Sequence, residues 1–236
     1  MTGPEPTSSA VVIGATGGVG RALADALDAS GAYRAVHRFA RSASGPDRLD
    51  LEDEATIAAA ADRVRAGPSP TLILVATGVL HGGQEPERTY KALTAEHLLR
   101  DYRINTVGPA LIMKHFAPLM PRDRRAVFAA LSARVGSIGD NRLGGWHSYR
   151  ASKAALNMIL RNLAIELGRS HPQAIVASLH PGTVDTDLSR PFQKGVSETK
   201  LFAPAHSAVR LLAVLDGLTP VDSGGIFGWD GARIPE

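Results

Sequence analysis

The sequence predicts the α/β class: one domain, residues 1–236, built on a doubly wound parallel sheet of about seven strands flanked by helices. Three observations point there. Short apolar, β-branched runs alternate with longer stretches of helical periodicity. The first of these runs passes through a glycine-rich turn straight into a helical pattern. The chain has 236 residues, 44% of them hydrophobic and 21% charged, enough to bury one substantial core.

Local chemistry sets the order of elements. Residues 10–13 read Ala-Val-Val-Ile, an apolar β-branched run suited to a strand. A helix follows at 19–29, with an apolar stripe through Arg21-Ala22-Leu23-Ala24-Asp25-Ala26-Leu27. Strands are expected at 33–39 and 48–51, then a helix at 54–66. Gly67-Pro68-Ser69-Pro70 forms a turn, not an interdomain linker. It leads into a strand at 71–76, where Thr71-Leu72-Ile73-Leu74-Val75 lacks polar alternation and so is covered on both faces. A helix at 94–119, a strand at 126–131, a helix at 149–169, a strand at 175–179, a helix at 204–215 and a strand at 225–227 complete the pattern. No internal repeat or low-complexity segment interrupts it.

Composition excludes several functions. Net charge is +3, from 26 basic and 23 acidic residues, and no Lys/Arg block is interleaved with aromatics. Nucleic-acid binding is therefore not expected. The absence of cysteine rules out disulfides and thiolate metal sites. No His/Asp/Glu set has ligand spacing, so no metal is expected. Residues 1–9 are polar and proline-containing, read as a flexible N-terminus without the layout of a signal peptide. No apolar stretch approaches the ~20 residues of a spanning helix. A soluble cytoplasmic protein without membrane partners is the expectation.

Two motifs carry chemistry. Gly14-Ala15-Thr16-Gly17-Gly18-Val19-Gly20 joins the first strand to the first helix. Glycine permits positive φ and close approach of a pyrophosphate to the backbone. The helix N-terminus adds free amide hydrogens and a partial positive charge. Far along the chain, Tyr149 and Lys153 are four residues apart, which stacks them on one helix face. An ammonium group there favours the phenolate and lowers the phenol's usual pKa of about 10. Tyrosine then serves as an acid or base near neutral pH.

Gly14-x-x-x-Gly18-x-Gly20 with Tyr149-x-x-x-Lys153 resembles the short-chain dehydrogenase/reductase superfamily, over nearly the whole chain. The segment from Gly136 to Trp146 and the ending from Ser223 to Gly231 resemble its C-factor and carbonyl-reductase group. The resemblance implies a Rossmann-type fold, a nicotinamide cofactor, a small carbonyl or alcohol substrate and a homodimer or homotetramer formed through the helices at 94–119 and 149–169. It makes Tyr149 the acid/base and Lys153 its partner and ribose ligand. Asn105 would order a proton-supplying water, or else kink its helix beside Gly108 and Pro109.

The glycine loop, with Thr16, Gly17 and Val19, would take the pyrophosphate. Arg41 and Ser42 fall where NADP-preferring relatives carry a basic residue and a hydroxyl, so NADP(H) is favoured over NAD(H). Asp50 and Leu51 resemble the adenine-contacting pair, although Asp50 also suits a turn. Ala76-Thr77-Gly78 replaces the relatives' Asn-Asn-Ala-Gly and leaves Thr77 without a clear role. Pro181-Gly182-Thr183-Val184-Asp185-Thr186 resembles the segment that grips the nicotinamide, through Pro181, Gly182, Thr183, Val184 and Thr186. Residues 187–202, which lack firm periodicity, are read as a substrate lid.

The catalytic serine is the departure. Ala133 falls on its usual place, leaving Ser132 as the preferred substitute and Ser137 as the other. Trp146 and His147 would shape the pocket wall or a subunit contact. The leading expectation is an NADP(H)-dependent carbonyl reductase or alcohol dehydrogenase. The alternative is a nucleotide-binding signalling protein of C-factor type with little turnover. An epimerase or dehydratase is disfavoured by the short chain.

Overall fold

The computed structural model describes residues 7–195 and 197–236. The flexible-terminus expectation for residues 1–6, and position 196 of the expected lid, lie outside the described residues. The sheet strands are β1 (Ser9–Ile13), β2 (Ala35–Phe39), β3 (Pro70–Val75), β4 (Ala126–Leu131) and β5 (Ala174–His180). After them come the short pair β6 (Thr183–Val184) and β7 (Leu201–Phe202), then β8 (Gly225–Gly228) and β9 (Arg233–Ile234). Helices α1 (Gly18–Ser30) and α2 (Glu54–Arg65) precede α3 (Ala95–Tyr102) and α4 (Gly108–Phe116), with α5 (His147–Gly168) and α6 (Pro204–Gly217) closing the series.

The seven-stranded sheet has the order β2-β1-β3-β4-β5-β8-β9, parallel throughout except for β9. β1 pairs with β2 on one side and β3 on the other, so Ile13 faces both Phe39 and Val75. The chain thus turns one way after β1 and the other way after β2. That reversal opens a crevice beyond the carboxyl ends of the strands. Alternation along each strand builds two cores. Val11, Ile13, Ile73 and Phe128 point to one face, under Ile57 of α2, Ile112 and Phe116 of α4 and Leu156 and Leu160 of α5. Ala10, Val12 and Leu74 point to the other, under Leu23 and Leu27 of α1 and Leu211 and Leu215 of α6.

Three expectations are corrected. The strand at 48–51 reduces to one bridge, Ala40 to Arg48, after a short 3-10 turn at Gly45–Asp47. The Asp50 amide donates to Thr56 Oγ1 at 2.9 Å and the Asp53 amide to the Asp50 carbonyl, which draws the segment into the start of α2. The helix at 94–119 is α3 and α4 joined by a π-helical turn, Arg103–Val107. Pro109 lacks an amide hydrogen and its ring displaces the carbonyl one turn back, and the wider turn absorbs this. The helix expected from 149 starts at His147. Its N-cap, Trp146, sits at φ 49°, and its amide donates to the Glu87 carbonyl.

Candidate active site

The crevice is a cleft of about 1230 Å³. One wall is the glycine loop. Gly14 sits at φ 88°, and a Cβ there would lie 2.7 Å from the Ala76 carbonyl oxygen. A Cβ on Gly18 would fall 2.4 Å from the Thr186 methyl group, and one on Gly20 2.2 Å from the Gly14 carbonyl oxygen. At these three positions only glycine fits, and α1 begins with no side chain capping it. Thr16, Gly17, Gly18, Val19 and Gly20 line the cleft, while Gly14 backs them from below.

The floor comes from the strand ends. Ala76, Thr77 and Gly78 follow β3, and the Thr77 hydroxyl is buried without a hydrogen-bond partner among the described residues. A donor–acceptor group poised in this cradle fits a polar dinucleotide. Pro181, Gly182, Thr183, Val184 and Thr186 follow β5 and line the opposite side. Gly182 holds φ 79° beneath Phe202 and Trp229, where a Cβ would meet the Phe202 ring at 2.7 Å.

Tyr149 and Lys153 both face the cleft and both are buried. The Lys153 ammonium lies 5.9 Å from the Tyr149 ring centroid and donates to the Leu131 carbonyl at 2.8 Å. The expected acidification of the phenol is corrected here. Burial raises the Tyr149 pKa above its ordinary value, and the Asp101 carboxylate raises it further. Burial pulls Lys153 down to about 8, against an opposing pull from Asp101. In this enclosed site the loss of water is the dominant cause of both shifts.

Asn105 is fully buried in the π turn. Its side chain accepts from the Val79 amide at 2.8 Å and donates to the Val79 carbonyl at 2.9 Å and to Ser152 Oγ at 3.1 Å. A Cβ on Gly78 would sit 3.3 Å from both Asn105 Oδ1 and Lys153 Nζ, so the three are adjacent. Asn105 therefore ties the strand end to α5 behind the lysine.

The serine question takes a definite form. Ser132 lines the cleft, but its hydroxyl donates to Asn157 Oδ1 at 2.7 Å. Ser137 donates to the Pro235 carbonyl and accepts from the Asp140 amide, away from the cleft. Neither hydrogen-bonds Tyr149 among the described residues. Ala133 packs against Tyr149 and Leu80. The preference for Ser132 as the catalytic hydroxyl is thus not supported by its bonding, because the buried Asn157 amide competes for that proton.

The residues expected to select the nucleotide are set apart from the cleft lining. Arg38 is paired with Asp25 and Asp28 of α1. Arg41 is exposed and has no ion pair among the described residues. Ser42 donates to Thr16 Oγ1 at 2.9 Å and so attaches to the glycine loop. Asp50 pairs with Arg48 at 3.3 Å, and Leu51 packs against Gly108.

Several site residues escaped the sequence. Leu80, Val135 and Phe192 join Trp146, which was expected in the pocket wall, to surround Tyr149 with apolar surface, the Trp146 and Phe192 ring centroids lying 5.0 Å apart. His180 lines the cleft just before Pro181, with Nδ1 unpartnered. Burial, with help from the Arg134 charge, lowers its pKa to about 4 and keeps it neutral at physiological pH. Its place beside the Pro-Gly turn was the one available signal. Among the described residues no His/Asp/Glu group is arranged to hold a metal, and no helix is long and apolar enough to cross a membrane.

Comparison with known proteins agrees with this geometry. The short chain dehydrogenase family profile matches residues 8–197. A 1-hydroxy-2-glutathionyl-2-methyl-3-butene dehydrogenase of Rhodococcus sp. (strain AD45) is 36% identical over 143 residues, 61% of this chain and 60% of that protein. The chain thus spans less than two thirds of that relative. C-signal of Myxococcus xanthus is 35% identical over 140 residues, 58% of this chain and 78% of C-signal. Among solved structures, NADPH-bound carbonyl reductase from chicken fatty liver superposes with a TM-score of 0.80 at 26% identity, covering 99% of this chain and 100% of that one. The chain belongs to the short-chain dehydrogenase family.

Proposed function

We propose that this protein is an NADP(H)-dependent oxidoreductase acting between a carbonyl and the corresponding alcohol, with Tyr149 as acid/base. The observation that carries the reading is the meeting of Tyr149 and Lys153 with the glycine cradle in one cleft. The bound nicotinamide nucleotide supplies or accepts the hydride. Tyr149 gives its proton to the developing alkoxide, or takes it back from the alcohol. Lys153 holds positive charge beneath the phenol and a donor for the ribose. Asn105 fixes the floor on which Lys153 rests. The wall of Leu80, Trp146 and Phe192 excludes water from the reacting carbonyl, and residues 187–195 and 197–202 form the lid that carries Phe192. Leu99, Met158 and Ile165 leave apolar surface exposed on α3 and α5, which supports self-association through those helices.

The test is NADPH oxidation against a panel of aldehydes, ketones and quinones. Turnover with at least one class is expected, and none with any would sink the reading. Arg41 lies just beyond the carboxyl end of β2 and has no ion pair among the described residues, so Arg41→Ala is expected to raise the dissociation constant for NADPH about tenfold or more while leaving that for NADH nearly unchanged. Equal effects on both would reject the preference for NADP(H).

Ala133 makes a second prediction. A hydroxyl added there stands beside Tyr149 as an extra hydrogen-bond donor to the carbonyl. Ala133→Ser is expected to raise kcat about tenfold or more, the reverse of removing such a donor. The second reading, a signalling protein with little turnover, draws on the likeness to C-signal and on Ala133. Nucleotide binding with no turnover in both the natural chain and Ala133→Ser would favour it.

A further inference from the structure

We propose that Asp101, held by His97 and Arg100, is a positioning residue for the Tyr149–Lys153 pair: its buried carboxylate is the counter-charge that keeps both groups protonated. The proposal rests on the reading of Tyr149 and Lys153 as the acid/base pair.

Asp101 ends the last full turn of α3 and is fully buried. Among the described residues neither of its carboxylate oxygens accepts a hydrogen bond. A buried charge without hydrogen bonds is costly unless opposite charges surround it. Here the Arg100 guanidinium supplies one at 4.0 Å from Oδ1, and His97 Nε2 stands 3.8 Å from the same oxygen. His97 Nδ1 in turn meets Glu87 Oε1 at 3.3 Å. Glu87 accepts from the Ser148 hydroxyl and from the Ser148 amide at 3.2 Å, one residue before Tyr149. The chain of contacts therefore starts on α3, passes through the loop before it and returns to the first turn of α5.

Each group facing Asp101 is accounted for. On α3 they are His97 and Arg100, from the preceding loop Glu87, and from α5 Lys153 and Tyr149. Burial raises the Asp101 pKa to about 6, with His97, Arg100 and Lys153 pulling it down and Glu87 pushing it up. Burial also pushes Glu87 up, but its bonds from Ser148 and the backbone outweigh this and hold it below the usual carboxylate range. Glu87 is therefore the permanent anion, and Asp101 is the one that titrates. A negative charge stabilises the protonated form of both neighbours, neutral phenol and ammonium alike. Above pH about 6 the Asp101 carboxylate is present and retains those protons. Below it the carboxyl is neutral and the support is withdrawn.

The experiment is NMR titration of chains labelled at the lysine Cε and tyrosine Cζ carbons, each signal assigned by single substitution. Lys91, Lys114, Lys153, Lys194 and Lys200 are the only lysines, and there are 4 tyrosines. The natural chain is expected to show a small second inflection near pH 6 in the Lys153 signal, in addition to its own titration. In Asp101→Asn that inflection vanishes and the Lys153 midpoint falls by about one pH unit. The alkaline limb of kcat for carbonyl reduction moves the same way, because Tyr149 and Lys153 both lose their protons earlier. His97→Gln keeps the Asp101 carboxylate, so it is expected to keep the inflection and move it to higher pH. A natural chain with no inflection overturns the proposal, whether or not Asp101→Asn folds. So does an Asp101→Asn chain that is folded and keeps the Lys153 midpoint, even if its activity is lower at every pH. The titrations read this coupling in the chain itself, so absence of turnover would reject the proposed reaction while leaving the coupling decided.

Discussion

Tyr149→Phe is expected to reduce kcat by about a hundredfold to ten-thousandfold while leaving nucleotide affinity within about twofold. The phenyl ring keeps the edge-on packing of Tyr149 against Trp146, whose centroid is 6.4 Å away, and keeps its burial beside Leu80 and Ala133. What disappears is the hydroxyl held against the apolar wall of Leu80, Val135, Trp146 and Phe192. Ser132 cannot take over, because its hydroxyl is bonded to Asn157. His180 is neutral, with a pKa near 4, and is a poor acid replacement at neutral pH. The direction of the pH profile follows from the same groups. Lys153 is charged below about 8 and loses its proton above it, so reduction is expected to fall off on the alkaline side. Stopped-flow measurement of NADPH consumption in both chains separates chemistry from binding. Retention of more than about a tenth of wild-type kcat in Tyr149→Phe would reject the role assigned to the phenol.

The two motifs were legible because each depends on short spacing. The glycine loop works through the backbone of neighbouring residues, and Tyr149 and Lys153 share a helix face over one turn. The sheet was legible for a similar reason: β1 and β3 are runs whose alternate residues feed both cores. What could not be read depends on contacts distant in the chain. Which way the Ser132 hydroxyl turns is decided by Asn157, 25 residues on. The raised Tyr149 pKa arises from enclosure, which spacing along a helix does not encode. Glu87, His97 and Asp101 look in sequence like an ordinary solvated set of charges. They are buried because that face of α3 packs on α5. The strand expected at 48–51 was lost to a side chain, Thr56, that captures the Asp50 amide. One signal was available and unused: Asp101 precedes Asn105 by four residues and so shares its helix face.

Gly20→Ala is expected to have the largest effect of any single methyl group added to the chain. The new Cβ would lie 2.2 Å from the Gly14 carbonyl oxygen, 2.8 Å from its carbonyl carbon and 3.2 Å from the Ala76 Cβ. Two of these are backbone atoms, so no rotamer change relieves the clash. Gly14 cannot retreat either, since its amide donates to the Phe39 carbonyl at 2.8 Å and the Ala76 carbonyl leaves no room for even a Cβ on it. α1 must therefore slide outward. That movement pulls Leu23 and Leu27 from the sheet and withdraws the helix N-terminus from the cleft. Overpacking of this kind costs about 3 kcal/mol. For a chain of this size that lowers Tm by roughly 6–12 °C. Nucleotide binding should be lost as well, because the free amides no longer converge on the phosphates. Gly17→Ala is the matching control. Its φ is −73°, and a Cβ there approaches only the Gly14 carbonyl oxygen, at an ordinary 3.5 Å. At this N-cap position glycine is preferred to alanine, so the exchange should cost about 1 kcal/mol, well below the cost at Gly20. Thermal melts of the two variants therefore separate a steric requirement at the helix entry from a general intolerance of the loop to alanine. Equal melting temperatures for Gly20→Ala and Gly17→Ala would mean that the loop is not packed as tightly as this cradle requires.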